Sequence, residues 1–259
     1  MTWRTYIDFG NILYRRNRRK NKSNFTKTLM KANQHLQQET RMNGDKLRVA
    51  GIFLDLDGTI VDSKEAYLET ARIAFGTIGQ KMLEEKIAFE IPKRLEQGLT
   101  ISDFTNGETK KFLRVYFSTY YSITEQKTKL MPNVPATLEV LSQKAKLALI
   151  TMRYTPKQAI IKELECFGIS KYFSHVVTAL DTRKPKPSPE ALLACMQTLN
   201  VRSSDCIIAG DSINDIRAGK AAGAGTVALL SGLFQSEELT KEKPDLILDD
   251  VNALPDCIV

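Results

Sequence analysis

A chain of 259 residues with 42% hydrophobic residues is long enough for one large core, or for a core with a smaller inserted unit. No run approaches about 18 consecutive apolar residues, which argues against a membrane span, and the only histidines, His35 and His175, argue against a His-built metal cage or a Ser-His pair. The net charge of +7 is local: residues 1–48 hold twelve Lys and Arg against three acidic residues, while the rest of the chain carries 25 basic and 27 acidic residues.

The leader, 1–48, opens on aromatic and apolar residues and passes into the run from Arg15 to Lys22. Such a run repels itself and reads as a basic, disordered extension. Other readings are an arm for nucleic acid or anionic membrane, or a transit-type segment. Met42 lies just ahead of the first core strand and would serve as an alternative start. Four cysteines (Cys166, Cys195, Cys206, Cys257) with no CxxC spacing fit reduced thiols in a cytoplasmic protein better than disulfides or zinc.

From Val49 to Leu54 an apolar run bounded by Gly58-Thr59 predicts a short buried strand, with Asp55 and Asp57 where it gives out. Carboxylates one residue apart project from the same side of an extended chain. Within a sheet they would be buried like charges; at a strand end they can hold a cation or attack phosphorus. From about 64 to 131 apolar residues recur at helical spacing, with breaks at Gly98 and Asn106-Gly107. This predicts an all-helical insertion of roughly four helices whose aromatic cluster, Phe112 to Tyr121, is its core.

Pro132 and Pro135 mark the return to the main domain. Apolar runs then follow at Leu147–Thr151, His175–Thr178, Cys206–Asp211, Thr226–Leu230 and Leu246–Leu248, alternating with helical patterns. The expected fold class is α/β, a doubly wound parallel sheet with a helical cap inserted after the first strand. The catalytic core would comprise 49–63 and 132–259, and the cap 64–131. In such a sheet the strand ends share one edge, so Asp55, Asp57, Thr151, the Lys-Pro loop at 183–189, Asp211 and Asp215 would converge there. Taken singly, Thr151 reads as a turn hydroxyl and Lys184 as a solvated lysine.

Taken together and in this order, they resemble the motifs of the haloacid dehalogenase superfamily: Asp55-Leu-Asp-Gly-Thr59, a strand ending in Thr151, a lysine opening Lys184-Pro-Lys-Pro187, and Gly210-Asp-Ser-Ile-Asn-Asp215. The insertion lies where that family carries its helical C1 cap. The resemblance implies a Mg2+ ion held by the Asp55 carboxylate, the Asp57 backbone carbonyl and Asp211. It implies Asp55 as nucleophile forming an aspartyl-phosphate, Asp57 as proton donor and acceptor, Thr151 on a phosphoryl oxygen, and Lys184, preferred to Lys186, as the stabilising cation. Asp215 is expected as an auxiliary group beside the metal. Arg153 stands where relatives often carry Asn, and either touches substrate or points to solvent.

The family's dehalogenases and phosphonatases lack a carboxylate at the position of Asp57, so its presence implies a phosphatase or a phosphomutase. The expected activity is Mg2+-dependent hydrolysis of a small phosphorylated metabolite, with phosphoglycolate the default substrate by resemblance. The alternatives are a mutase of the β-phosphoglucomutase type and a nucleic-acid-associated protein working through the leader.

Overall fold

The computed structural model describes residues 42–43, 46–82 and 84–259. The expectation of a disordered basic leader therefore falls, up to residue 41, outside the described residues.

The chain enters through two short antiparallel strands, β1 (Met42–Asn43) and β2 (Lys46–Leu47). Leu47 is buried, and its carbonyl accepts a 3.0 Å hydrogen bond from the Val259 N–H. Within the span assigned to the leader, Leu47 is thus packed, while Lys46 and Arg48 on either side of it are exposed. One buried leucine tied to the last residue outweighs its basic neighbours.

Strand β3 (Gly51–Leu54) is followed by the short β4 (Val61–Asp62), then by helices α1 (Lys64–Thr77), α2 (Glu85–Glu96) and α3 (Thr109–Lys127). Strand β5 (Lys129–Leu130) leads back through α4 (Val134–Lys144) to β6 (Lys146–Ile150), α5 (Lys157–Cys166), β7 (Phe173–Val177) and α6 (Glu190–Leu199). The chain closes with β8 (Cys206–Gly210), α7 (Ile213–Ala222), β9 (Gly225–Leu229), α8 (Ser236–Lys241) and β10 (Leu246–Leu248). Six strands form one parallel sheet in the order β10-β9-β8-β3-β6-β7.

Every residue of β3 is buried, as expected for a parallel strand covered on both faces. Its side chains alternate between two cores. Ile52 and Leu54 pack with Leu138 and Leu141 of α4 and Ile160 and Leu164 of α5. Phe53 joins Leu192 and Met196 of α6 and Ala218 and Ala222 of α7 on the opposite face. Each such fully buried Ile, Leu or Phe contributes about 1.5–3 kcal/mol relative to an exposed position.

The described chain divides into two compact units: Ala66–Ile123, and the chain up to Glu65 together with Thr124–Val259. Within the first, three α-helices and a single 3-10 turn (Ser102–Phe104) stand where roughly four helices were expected. Its core gathers Phe75, Ile91, Ile101, Phe112 and Tyr116, and Tyr67 stacks on Tyr120 at 5.4 Å between ring centroids. Arg94 lies 4.3 Å over the Phe104 ring and pairs with Asp103 at 2.7 Å, inside this unit. The antiparallel pair β4–β5, not foreseen from the helical pattern, belongs to the second unit. Cys195 and Cys206 are buried, but Cys166 is exposed rather than in the core. No described helix is long and apolar enough to cross a membrane.

Candidate active site

The order of strands sets the position of the site. From β3 the chain adds β6 and β7 on one side, then returns to add β8 on the other. Where the direction of winding reverses, neighbouring loops part, and a crevice opens at the carboxyl ends of the strands. Asp55 follows β3, Thr151 follows β6 and Asp211 follows β8, on three adjacent strands. The backbone of Asp55 is fixed by its N–H donating to the Ala209 carbonyl at 3.1 Å.

After Asp55 the chain folds into a tight loop, with the N–H groups of Ile60 and Val61 donating to the Leu56 carbonyl at 2.9 and 3.0 Å. Gly58 sits in this loop at φ +81°, and a Cβ there would lie 2.6 Å from the Asp211 carboxyl carbon. From the other side a Cβ on Gly232 would come within 1.6 Å of Asp211 Oδ2. Only glycine suits both positions, one for its backbone angle and both for the close approach to the carboxylate.

Asp215 lies on the first turn of α7 and completes a capping box with Ser212, its Oδ2 accepting from the Ser212 N–H at 3.2 Å. Its other oxygen accepts from Lys186 Nζ at 2.5 Å. The same ammonium donates to Asp55 Oδ1 at 2.5 Å and to the Ile150 carbonyl at 3.0 Å. Lys186 is 2% exposed.

This geometry corrects the preference for Lys184. Lys184 is exposed, and its backbone N–H, with that of Arg183, donates to the Glu190 carboxylate at 3.3 and 2.8 Å. Glu190 thereby pins the loop so that the second lysine reaches inward. The sequence holds the lysine motif twice, as Lys184-Pro-Lys-Pro187 and as Lys186-Pro-Ser-Pro189. The register nearer to α6 delivers the buried cation.

One ammonium faces two buried carboxylates. Lys186 is consequently held in its charged form far above the usual lysine range, since the attraction of Asp215 and Asp55 exceeds the cost of burial. The deficit falls on Asp55, whose carboxyl is pushed up to about 8 by burial first, against the opposing pull of Lys186, with further upward pressure from Asp215 and Asp57. Oxygens of Asp55, Asp211 and Asp215 lie within 4.8 Å of one another. An all-oxygen anionic donor set, short of positive charge, suits a hard divalent cation of the Mg2+ class.

Asp57 is placed quite differently. Its Oδ1 accepts from the Ser63 hydroxyl and, at 2.6 Å, from Arg153 Nη2; its Oδ2 accepts from Arg153 Nε at 2.8 Å. The third arm of the guanidinium, Nη1, donates to Glu163 Oε2 at 2.6 Å. Arg153 was expected either to touch substrate or to point to solvent; its side chain is 4% exposed and tied to two carboxylates. Glu163 is raised above the usual glutamate range by burial, against the pull of Arg153. Removing one member of such a buried group costs about 3–5 kcal/mol, because the others lose their compensation.

Thr151 is buried at the end of β6, and its hydroxyl accepts the Arg153 N–H at 3.1 Å. The positions of Asp55, Asp57, Thr151, Asp211 and Asp215 followed from their places after apolar runs. Glu163 and Ser63 went unnoticed. For Glu163 a signal existed: with Ile160 and Leu164 it occupies the buried stripe of α5 at helical spacing.

Comparison with known proteins identifies the family. Residues 52–229 match the family described as "Haloacid dehalogenase-like hydrolase". The chain is 31% identical to a phosphoglycolate phosphatase of Escherichia coli (strain K12) over 231 residues, covering 80% of this chain and 91% of that protein. It is 32% identical over 236 residues to a phosphoglycolate phosphatase of Salmonella typhimurium, covering 81% and 93%. Among solved structures, a predicted phosphoglycolate phosphatase from Haemophilus somnus superposes with a TM-score of 0.68 at 26% identity, covering 80% of this chain and 97% of that one.

Proposed function

The chain belongs to the haloacid dehalogenase-like hydrolases, and from that membership we propose that it is a Mg2+-dependent phosphatase acting on a small phosphate monoester through an aspartyl-phosphate, with phosphoglycolate the first substrate to test. The observation that carries this reading is the division of labour between the two carboxylates of one loop: Asp55 against the Lys186 ammonium among buried carboxylates, and Asp57 on a guanidinium two residues on.

In the first half-reaction an oxygen of Asp55 attacks phosphorus and the bond to the ester oxygen breaks. Asp57 gives that oxygen its proton, so the alcohol leaves neutral. In the second, water attacks the phosphorus of the aspartyl-phosphate, Asp57 takes its proton, and inorganic phosphate departs as Asp55 is regenerated. Lys186 stabilises the charge carried by the transferring group, and Thr151 can present its hydroxyl to a phosphoryl oxygen. The Asp55 and Asp211 carboxylates and the Asp57 backbone carbonyl would hold Mg2+, which neutralises part of the substrate's charge. Asp215 acts by holding Lys186 and the start of α7.

A panel of alkyl phosphate esters tests the substrate. Phosphoglycolate should give the highest kcat/KM, exceeding sugar phosphates and nucleoside monophosphates by at least about tenfold, the worth of one good polar contact. A sugar phosphate or nucleotide at the top would overturn the choice of substrate and leave the reaction class standing.

Metal binding should be linked to protons. Because the Asp55 carboxyl is raised to about 8 without a cation, a divalent ion must displace a proton at lower pH. Mg2+ affinity should rise up to about tenfold per pH unit from pH 6 to 8 and flatten above, with up to one proton released on binding near pH 6. Calorimetric titrations in two buffers of different ionisation enthalpy read both quantities; an affinity flat from pH 6 to 8 would contradict the assignment.

A further inference from the structure

We propose that Arg153, anchored by Glu163, is the positioning residue that holds the Asp57 carboxylate in place through both halves of the reaction, an inference resting on the reading of Asp57 as the proton shuttle.

The geometry has three parts. Arg153 meets Asp57 with two arms of one planar group, Nε on Oδ2 at 2.8 Å and Nη2 on Oδ1 at 2.6 Å, which fixes the orientation of the carboxylate as well as its location. Its remaining arm lies 2.6 Å from Glu163 Oε2, and Glu163 is steadied in turn by the Thr128 hydroxyl on Oε1 at 3.1 Å. The backbone of Arg153 is held at both ends, its N–H by the Thr151 hydroxyl at 3.1 Å and its carbonyl by the Ala179 N–H at 3.2 Å.

The second carboxylate explains how one arginine serves a group that must gain and lose a proton in each turnover. A guanidinium stays charged at any working pH. Were Asp57 its sole partner, each protonation of Asp57 would leave a buried positive charge uncompensated. Glu163 holds the third arm of the guanidinium at 2.6 Å, so Arg153 stays tied to the fold whichever form Asp57 takes. A charge serving packing alone would not need to grip both oxygens of the shuttle.

Proton donation matters most when the leaving oxygen is strongly basic, so the dependence on leaving group separates positioning from general structural damage. The variants are Arg153→Lys, which keeps the charge but cannot grip two oxygens and Glu163 together, Arg153→Gln, and Glu163→Gln, with Asp57→Asn as reference. Each is assayed with Mg2+ on p-nitrophenyl phosphate, whose leaving group needs little protonation, and on the best alkyl phosphate from the panel. The readout is kcat/KM, which covers the chain of events up to departure of the alcohol. Arg153→Gln should lose about 100-fold or more on the alkyl ester and about tenfold or less on the aryl ester, the contribution of a general acid being 10²–10⁴-fold. Arg153→Lys and Glu163→Gln should show smaller losses in the same sense.

Equal losses on both esters in all three variants, with the fold intact by circular dichroism, would overturn the proposal in favour of a purely structural role. A loss confined to KM on the alkyl ester would make Arg153 a substrate contact instead. If Asp57→Asn itself shows no dependence on leaving group, the assignment of Asp57 fails first and the proposal falls with it. Should Arg153→Gln fail to fold, Arg153→Lys and Glu163→Gln carry the test.

Discussion

Replacing Asp55 by asparagine should reduce Mg2+-dependent phosphate release by at least about 10⁴-fold, in the range seen when an enzyme loses its nucleophile. The carboxamide matches the carboxylate in shape but offers no anionic oxygen to attack phosphorus. Stability should not suffer to match. The site holds two carboxylates beside one ammonium, and Asp55→Asn removes the excess negative charge while Asp215 keeps its bond to Lys186. The metal-free variant should therefore unfold at the same temperature as the parent or higher. Trapping with acid after brief exposure to substrate should reveal an acyl phosphate, labile to hydroxylamine, in the parent and none in Asp55→Asn. Undiminished turnover by the variant would end the aspartyl-phosphate mechanism for this chain.

The second large effect separates two lysines that lie two residues apart. Lys186→Met should lower phosphate release by about 10²–10³-fold, the usual cost of losing one charge-stabilising donor. It should also lower unfolding free energy by about 3–5 kcal/mol, since Asp55 and Asp215 would face each other buried without their cation. Mg2+ should restore part of that stability by supplying positive charge to the same oxygens. Lys184→Met, at an exposed position, should stay within about 0.5 kcal/mol and about twofold in rate. Urea unfolding with and without Mg2+, paired with phosphate release, reads each of these quantities. If Lys184→Met were the damaging variant, the placement of the loop would be refuted.

These lysines also mark the limit of what local pattern conveys. A proline-rich loop with a lysine is visible in residues 183–189, but the motif fits in two registers. The choice between them depends on how Glu190 grips the backbone of Arg183 and Lys184, a contact no periodicity predicts. Arg153 shows the same limit more strongly. Nothing within several residues marks it as buried, because its partners are Asp57, 96 positions earlier, and Glu163, 10 positions later. A charged side chain reads as solvated by default, and only the meeting of remote carboxylates reverses that. At the other end of the leader, Leu47 joined the core through Val259, again a contact between distant parts of the chain.

Local pattern was enough for what repeats along the chain: six apolar runs that became six parallel strands, an interrupting helical segment, and carboxylates or a hydroxyl placed directly after β3, β6 and β8. A strand buried on both faces must be continuously apolar, so the first polar residue after it announces the rim of the sheet. Tertiary structure alone decided which charges pair: Lys186 with Asp55 and Asp215, and Arg153 with Asp57 and Glu163. Burial of a charge depends on a partner brought from elsewhere in the chain, and that partnership exists only once the fold has formed.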